Sequence, residues 1–221
     1  MIINKQNINI SKDLDLENKN IFINSNVKIC IEENAVLTIK NSSIYDNGNQ
    51  KISFLGCGNN PGSVVFKNSN IDLKNIEVRG LSFPIKNLHT LYGGLNIVQS
   101  QFKVDNLLIN NSLSEDGVNF INSKIDVKKI QAKNIQSDAI DSDSSSLKIS
   151  EIICEEVKND CLDLSYSRAN VNSLYGRDIQ DKVVSAGEAS ILNLIDARLE
   201  KSEIGIVAKD SSNVYVNNFN V

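Results

Sequence analysis

Residues 114–160 read SEDGVNFINSKIDVKKIQAKNIQSDAIDSDSSSLKISEIICEEVKND, two copies of one pattern set end to end. Each copy opens on an aspartate, Asp116 and then Asp138, and the same stride continues to Asp160, Asp181 and Glu203 with gaps of 22, 22, 21 and 22 residues. Within a copy, apolar residues alternate with polar ones in short runs broken by Asn, Ser and Asp, the period-2 signature of strands. A unit of this length cannot bury its own apolar side, so successive units must stack, and the stride predicts a solenoid of short parallel strands.

The pattern extends outward from this stretch. GSVVFKNSNIDLKNIEVRGL (62–81) follows DGVNFINSKIDVKKIQAKNI (116–135) almost position by position, and GGLNIVQSQFKVDNLLINN (93–111) repeats it once more. Between them SFPIKNLHTLY (82–92) interrupts the period as an inserted loop, the kind of graft on a regular scaffold that often binds. NVKICIEENAVLTIKNSSI (26–44) already alternates, and residues 1–25 read as a capping segment over the first coil. No helical stripe persists anywhere. The expected fold is therefore all-β: a right-handed, single-stranded parallel β-helix of about seven or eight coils, one domain over 1–221, each coil adding about 4.8 Å. Val118, Phe120, Ile125, Val127, Ile140, Leu147, Ile149, Leu162, Leu164 and Val171 are expected inside. The register of the last two coils is open, because AGEAS and KDSSN carry about two extra residues relative to the earlier turns.

Composition narrows the function classes. Apolar residues make up 41% of the chain but aromatics only 5%, with no Trp, so the core must come from Ile, Val and Leu. A net charge of -4 without a basic stripe argues against nucleic acid or an anionic membrane as partner. Cys30, Cys57, Cys154 and Cys161 have no metal or redox spacing and read as small core or turn residues. No apolar run near the start suggests a signal peptide or a membrane span.

SEDGVNF (114–120), SDAIDSD (137–143), IQDKVVSAGEAS (179–190) and EIGIVAKDSS (203–212) resemble the repeats of right-handed parallel β-helix proteins, the pectate-lyase-like superfamily. More narrowly, they resemble β-helix regions of bacterial surface proteins, some of which carry a spore-coat-protein-H-like domain. The resemblance implies a cell-surface or extracellular location and no phosphotransfer role, since kinase-type residues belong to that separate domain. Pectate lyases would imply calcium-binding aspartates and an Arg base, and alginate-type epimerases a Tyr/His/Asp cluster; neither motif is reproduced here.

Candidate site residues follow from the acidic stride. Stacked near 5 Å, adjacent carboxylates repel by about 3 kcal/mol at an effective dielectric near 20, so each needs donors, water or a cation. As turn caps, Asp116, Asp138, Asp160, Asp181 and Glu203 would accept backbone N–H bonds. As a metal site, Asp138, Asp141, Asp160 and Asp163 offer calcium four ligands from two adjacent coils, with Asp143 beside them; no other cofactor is implied. As an acid/base site, Asp116 and Asp138 would work with His89, the only histidine, carried by the insertion. Lys86, Tyr92, Asn119 and Lys182 are candidates for holding substrate, while Arg168, Arg177 and Lys209 read as solvated turn charges or grips for an anionic glycan. The Asn-Ser pairs at Asn41, Asn68 and Asn122, in step with Gln99-Ser100, read as a structural ladder of stacked amides.

Three functions remain in view: a non-catalytic module of a bacterial surface or envelope protein that spaces or binds polysaccharide, a lyase or C5-epimerase acting on uronate polymers, and a purely structural stacking unit. The chain closes on VYVNNFNV (214–221), another strand whose open edge suggests end-to-end self-association or continuation.

Overall fold

A computed structural model of the chain describes residues 1–3, 6–84 and 91–221. It is a parallel β-solenoid of about nine turns, one or two more than the stride suggests, and the described residues contain no helix. The extra turns lie in residues 1–40, where short strands such as Asn7–Ile10 and Leu14–Glu17 pair in parallel with Val27–Ile31 and Val36–Lys40. The segment expected to cap the first coil is thus itself coiled.

Among the described residues each full turn contributes one strand to each of three sheets, and the strands of the inner turns pair with their equivalents one turn before and after, while those of the first and last turns pair on one side only. In the central turns, numbered from the N-terminus, turn 5 spans 101–121, turn 6 spans 124–143, turn 7 spans 146–165 and turn 8 spans 168–187. The first sheet stacks Gln101 on Lys124, Ser146 and Arg168; the second stacks Asn106 on Lys129, Glu151 and Ser173; the third stacks Val118 on Ile140, Leu162 and Val184. The inserted segment enters in turn 4, after the second-sheet part of Asn70–Arg79 and before Gly93–Val98 of the third.

All ten expected core residues are inside, none more than 1% exposed. The core is less purely aliphatic than composition suggests: Phe54 packs edge-on against Phe66, and Phe102 lies tilted against Phe120, each pair with ring centroids 6.0 Å apart. Across the corner between second and third sheets, in turns 5 and 8, a large residue on one side is met by a small one on the other. Turn 5 faces Ile109 with Gly117, where an added Cβ would meet Ile109 Cγ2 at 3.1 Å; turn 8 reverses the pair, with Gly176 facing Val183 at 2.8 Å. Turn 6 has Ala132 and Ala139 at these two registers, both buried, and turn 7 fills them with the Cys154–Cys161 disulfide. Such compensation is what a close-packed interior demands. Cys30 and Cys57 form a second disulfide between adjacent turns, so the cysteines are not plain core residues and none is free.

The corner between third and first sheets carries the Asn-Ser pairs, and the ladder there runs through serine rather than through amides. Asn41, Asn68, Gln99, Asn122, Ser144 and Tyr166 all take positive φ, close to +50°, a conformation asparagine tolerates better than most residues. Their bend places the next serine so that its Oγ accepts the backbone N–H of the equivalent residue one turn earlier. The chain of bonds runs from Ser42 N–H to Ser69, Ser69 to Ser100, Ser100 to Ser123, Ser123 to Ser145, Ser145 to Ser167, Ser167 to Ser190 and Ser190 to Ser212, at 2.9–3.1 Å. Ser42, Ser69, Ser100, Ser123, Ser145 and Ser167 also each donate to the carbonyl two residues upstream.

Candidate functional site

The outer surface of the third sheet in turns 5 to 8 gathers the acids into columns. Residues paired in a parallel ladder point to the same side, so one column reads Asp116, Asp138, Asp160, and the next reads Asn119, Asp141, Asp163, Ser185. A third begins with Ile121 and continues to Asp143 and Ser165. The inward residues Val118, Ile140 and Leu162 fix this orientation by burying the opposite face.

The first column does not continue as the stride implies. Leu162 pairs with Val184, which puts Lys182 on the rung after Asp160, and the pairing is irregular between Ile179 and Lys182. Asp181 therefore falls one residue short of the column, and Glu203, one residue before Ile204, follows Asp181 out of it. The backbone N–H of Lys182 donates to Asp160 Oδ1 at 2.9 Å, its Nζ lies 3.5 Å from the same oxygen, and it also bonds the Asp181 carboxylate. That bond to Asp181 is the main reason the Lys182 ammonium is held above its ordinary range.

Turn capping holds for part of this column. Asp138 Oδ1 accepts from the Asp160 backbone N–H and from Asn159 Nδ2, both at 2.7 Å. Asp116 differs: it accepts from Asn119 Nδ2 at 3.0 Å, while the Asp138 backbone N–H goes to the Glu115 carbonyl.

Although these side chains face outward, they are poorly solvated. Asp116 is 5% exposed, Asp160 3% and Asn119 4%. Burial raises the Asp116 carboxyl to about 7, with the Asp138, Glu115 and Asp143 charges adding to it against the Asn119 hydrogen bond. Burial likewise raises Asp138 to about 6 and Asp141 to about 8, the latter helped by the charges of Asp116, Asp143, Asp163 and Asp138. Asp143 and Asp160 are also raised, chiefly by burial. Around neutral pH the cluster therefore keeps protons that exposed carboxyls would have lost.

Two further atoms stand out in the second column. Asn119 Oδ1 and Ser185 Oγ are buried and without a hydrogen-bond partner, one at each end of the pair Asp141–Asp163. Among the described residues no ion pair reaches Asp116, Asp138, Asp141, Asp143 or Asp163, and no group of three or more Asp, Glu, His or Cys side chains is arranged to hold a metal ion. The four calcium candidates thus occupy adjacent rungs of two columns.

Of the substrate-holding candidates, Asn119 and Lys182 lie within these columns. Tyr92, exposed and tilted against Phe83 with centroids 5.7 Å apart, borders them, since its carbonyl accepts the Asp116 N–H at 3.2 Å. His89 and Lys86 lie outside the described residues. Ser185 was not legible as a site residue, because a serine at an outward strand position, next to Val184, carries no mark of burial. Elsewhere, a groove of about 970 Å³ follows the serine corner from Asn41 to Arg168. It repeats with the bend of every turn, and none of its lining side chains is among the buried unpartnered ones.

No protein-family model, curated protein or solved structure matches the chain, so the parallel solenoid is shown and membership of the pectate-lyase-like superfamily or of the surface-protein repeats is not.

Proposed function

We propose that this protein is an exported binding module that holds a saccharide on the outer surface of its third sheet, across turns 5 to 8. The observation that carries this reading is the pair of buried, unpartnered atoms, Asn119 Oδ1 and Ser185 Oγ, bracketing Asp141 and Asp163. A buried polar atom without a partner costs about 1–3 kcal/mol, and crowded, desolvated carboxyls add to that cost. A stacking unit has no use for either, and sites that break local rules in this way are commonly functional. Saccharide hydroxyls both donate and accept, which suits the Asn119 acceptor and the Ser185 hydroxyl alike, and exposed Tyr92 at the margin offers a ring for a sugar face. Two disulfides with no free cysteine favour an oxidising compartment, in keeping with an exported protein.

The test is co-sedimentation with a panel of insoluble bacterial and plant polysaccharides. Wild type is expected to be retained on at least one, with retention lost in Asp141→Asn and weakened in Tyr92→Ala, while Asp126→Asn on the first sheet leaves it unchanged. Retention unaffected by Asp141→Asn would refute the assignment.

A second reading, acid/base chemistry on a uronate polymer, draws on one observation: Asp116 and Asp141 carry protons near neutrality beside other carboxylates, as a general acid must. It predicts new unsaturated chain ends or inverted C5 centres when polyuronates are incubated with the protein. The binding reading predicts neither.

A further inference from the structure

The line Asn119–Asp141–Asp163–Ser185 is short of donors in a particular way. Asn119 has committed its Nδ2 to Asp116 Oδ2 at 3.0 Å, which leaves its Oδ1 as a pure acceptor. Asp141 and Asp163 follow on the next two rungs, and among the described residues neither takes a hydrogen bond or an ion pair. Ser185 Oγ, fully buried and unpartnered, closes the line. Asn119 Oδ1 can only accept, the Asp141 and Asp163 carboxyls accept once ionised, and Ser185 Oγ can do either, so a group that brings donors and positive charge fits the line.

The protein shows its own solution one column away. There Lys182 occupies the rung after Asp160 and sets its ammonium against the carboxylates of Asp160 and Asp181. The Asp141 column has no such lysine, since Ser185 stands on the corresponding rung. A divalent metal is a poorer match than an ammonium. It needs several oxygens drawn in to about 2.3–2.6 Å, and no such convergence occurs among the described residues. An ammonium bonds at about 2.7–2.9 Å and its three donors can reach acceptors spread over neighbouring rungs. A neutral hydroxyl supplies one donor and no charge.

We propose that this line receives a primary ammonium group, so that the ligand of the third sheet is a glycan bearing free, unacetylated amino groups. The inference rests on the saccharide-binding reading and narrows it to one chemical class. Burial first, and then the charges of its acidic neighbours, hold the proton on Asp141, and a cation at this place would offset the second of these and favour the ionised carboxylate.

The experiment is isothermal titration of the whole protein, near neutral pH, with three oligosaccharides of equal length: a glucosamine oligomer, its N-acetylated counterpart and a glucose oligomer. The glucosamine oligomer is expected to bind at least about 10-fold more tightly than either of the others, as a charge-assisted contact replaces a neutral one. The double variant Asp141→Asn, Asp163→Asn should erase that preference while remaining folded by circular dichroism. Glu151→Gln, an exposed acid on the second sheet paired with Lys129, should leave it intact. Equal binding of all three oligomers, with the double variant still weakening it, would overturn the ammonium assignment and leave saccharide binding standing. An equal loss in Glu151→Gln would reduce the effect to general attraction for a polycation and overturn the site. Binding of none of the three would overturn both readings together.

Discussion

The solenoid carries two stacks of polar side chains, one residue per turn, that differ in how they are satisfied. At the corner between third and first sheets, Ser42 through Ser212 form a ladder in which each hydroxyl accepts from the turn before and most also donate to a nearby carbonyl. On the third sheet, Asn119, Asp141, Asp163 and Ser185 stack at the same spacing but leave buried polar atoms unpaired and acidic groups adjacent. The serine ladder closes on itself and needs no other molecule. On the binding reading proposed above, the acid columns are completed by a bound molecule, and the bonds this region fails to make are what point to it.

The largest difference between the two stacks should appear with pH. Asp116, Asp138 and Asp141 bind protons more tightly in the folded chain than in the unfolded one, where a carboxyl titrates near 3.8. The stability they contribute is complete below about pH 4 and is lost as pH rises through their folded values of about 6 to 8. Asp116 alone corresponds to an upper limit on the order of 4 kcal/mol over that window. Glu77, Asp105 and Glu200 are held low, so their loss lies on the acid side of pH 5. Thermal melts are therefore expected to show a lower Tm at about pH 8.5 than at about pH 5; a rise over the same interval would break the contrast.

Next in size is a cut in the serine ladder. Ser145→Ala strands the Ser123 N–H in a buried corner and is expected to cost about 1–3 kcal/mol in a denaturant titration, with saccharide binding at saturation unaltered. A smaller effect tests the same corner from the other side. Tyr166 holds φ 53° where preceding turns place Asn, Gln or Ser, and its side chain is 67% exposed. Tyr166→Asn should stabilise the fold by about 0.5–1 kcal/mol through relief of that conformation. The smallest expected change comes from calcium. Excess calcium over chelator should move the Tm by less than about 1 °C, and a clear rise would instead give Asp138, Asp141, Asp160 and Asp163 a shared ion.

The stride from Asp116 to Asp160 was enough to read the solenoid, its core residues and the outward face of the acids, because all three follow from strand alternation and repeat length. The place where the stride misleads has a local cause. An irregularity between Ile179 and Lys182 slips the count by one, so a lysine takes the rung that spacing assigns to Asp181. The disulfides were not legible, since separations of 27 and 7 residues become pairs only once the turns are stacked. The Asn-Ser recurrence was visible, but which partner carries the hydrogen bonds depends on the positive φ that only the folded corner displays. Burial of the acid columns was hidden for a similar reason: alternation says which way a side chain points and not how much solvent it keeps.

The most direct test of the contrast is the melting temperature of Asp141→Asn against wild type, without ligand, at about pH 8.5. The substitution removes a desolvated acid from among its neighbours and brings an amide donor to the rung beside the orphaned Asn119 Oδ1. If Asp141 is kept for a ligand at the expense of the fold, the variant melts higher than wild type, and the gap narrows toward about pH 5, where the wild-type carboxyl is protonated. A variant that melts lower at both pH values would mean that Asp141 holds the solenoid together, as the serines do, and that the third sheet is structure rather than site.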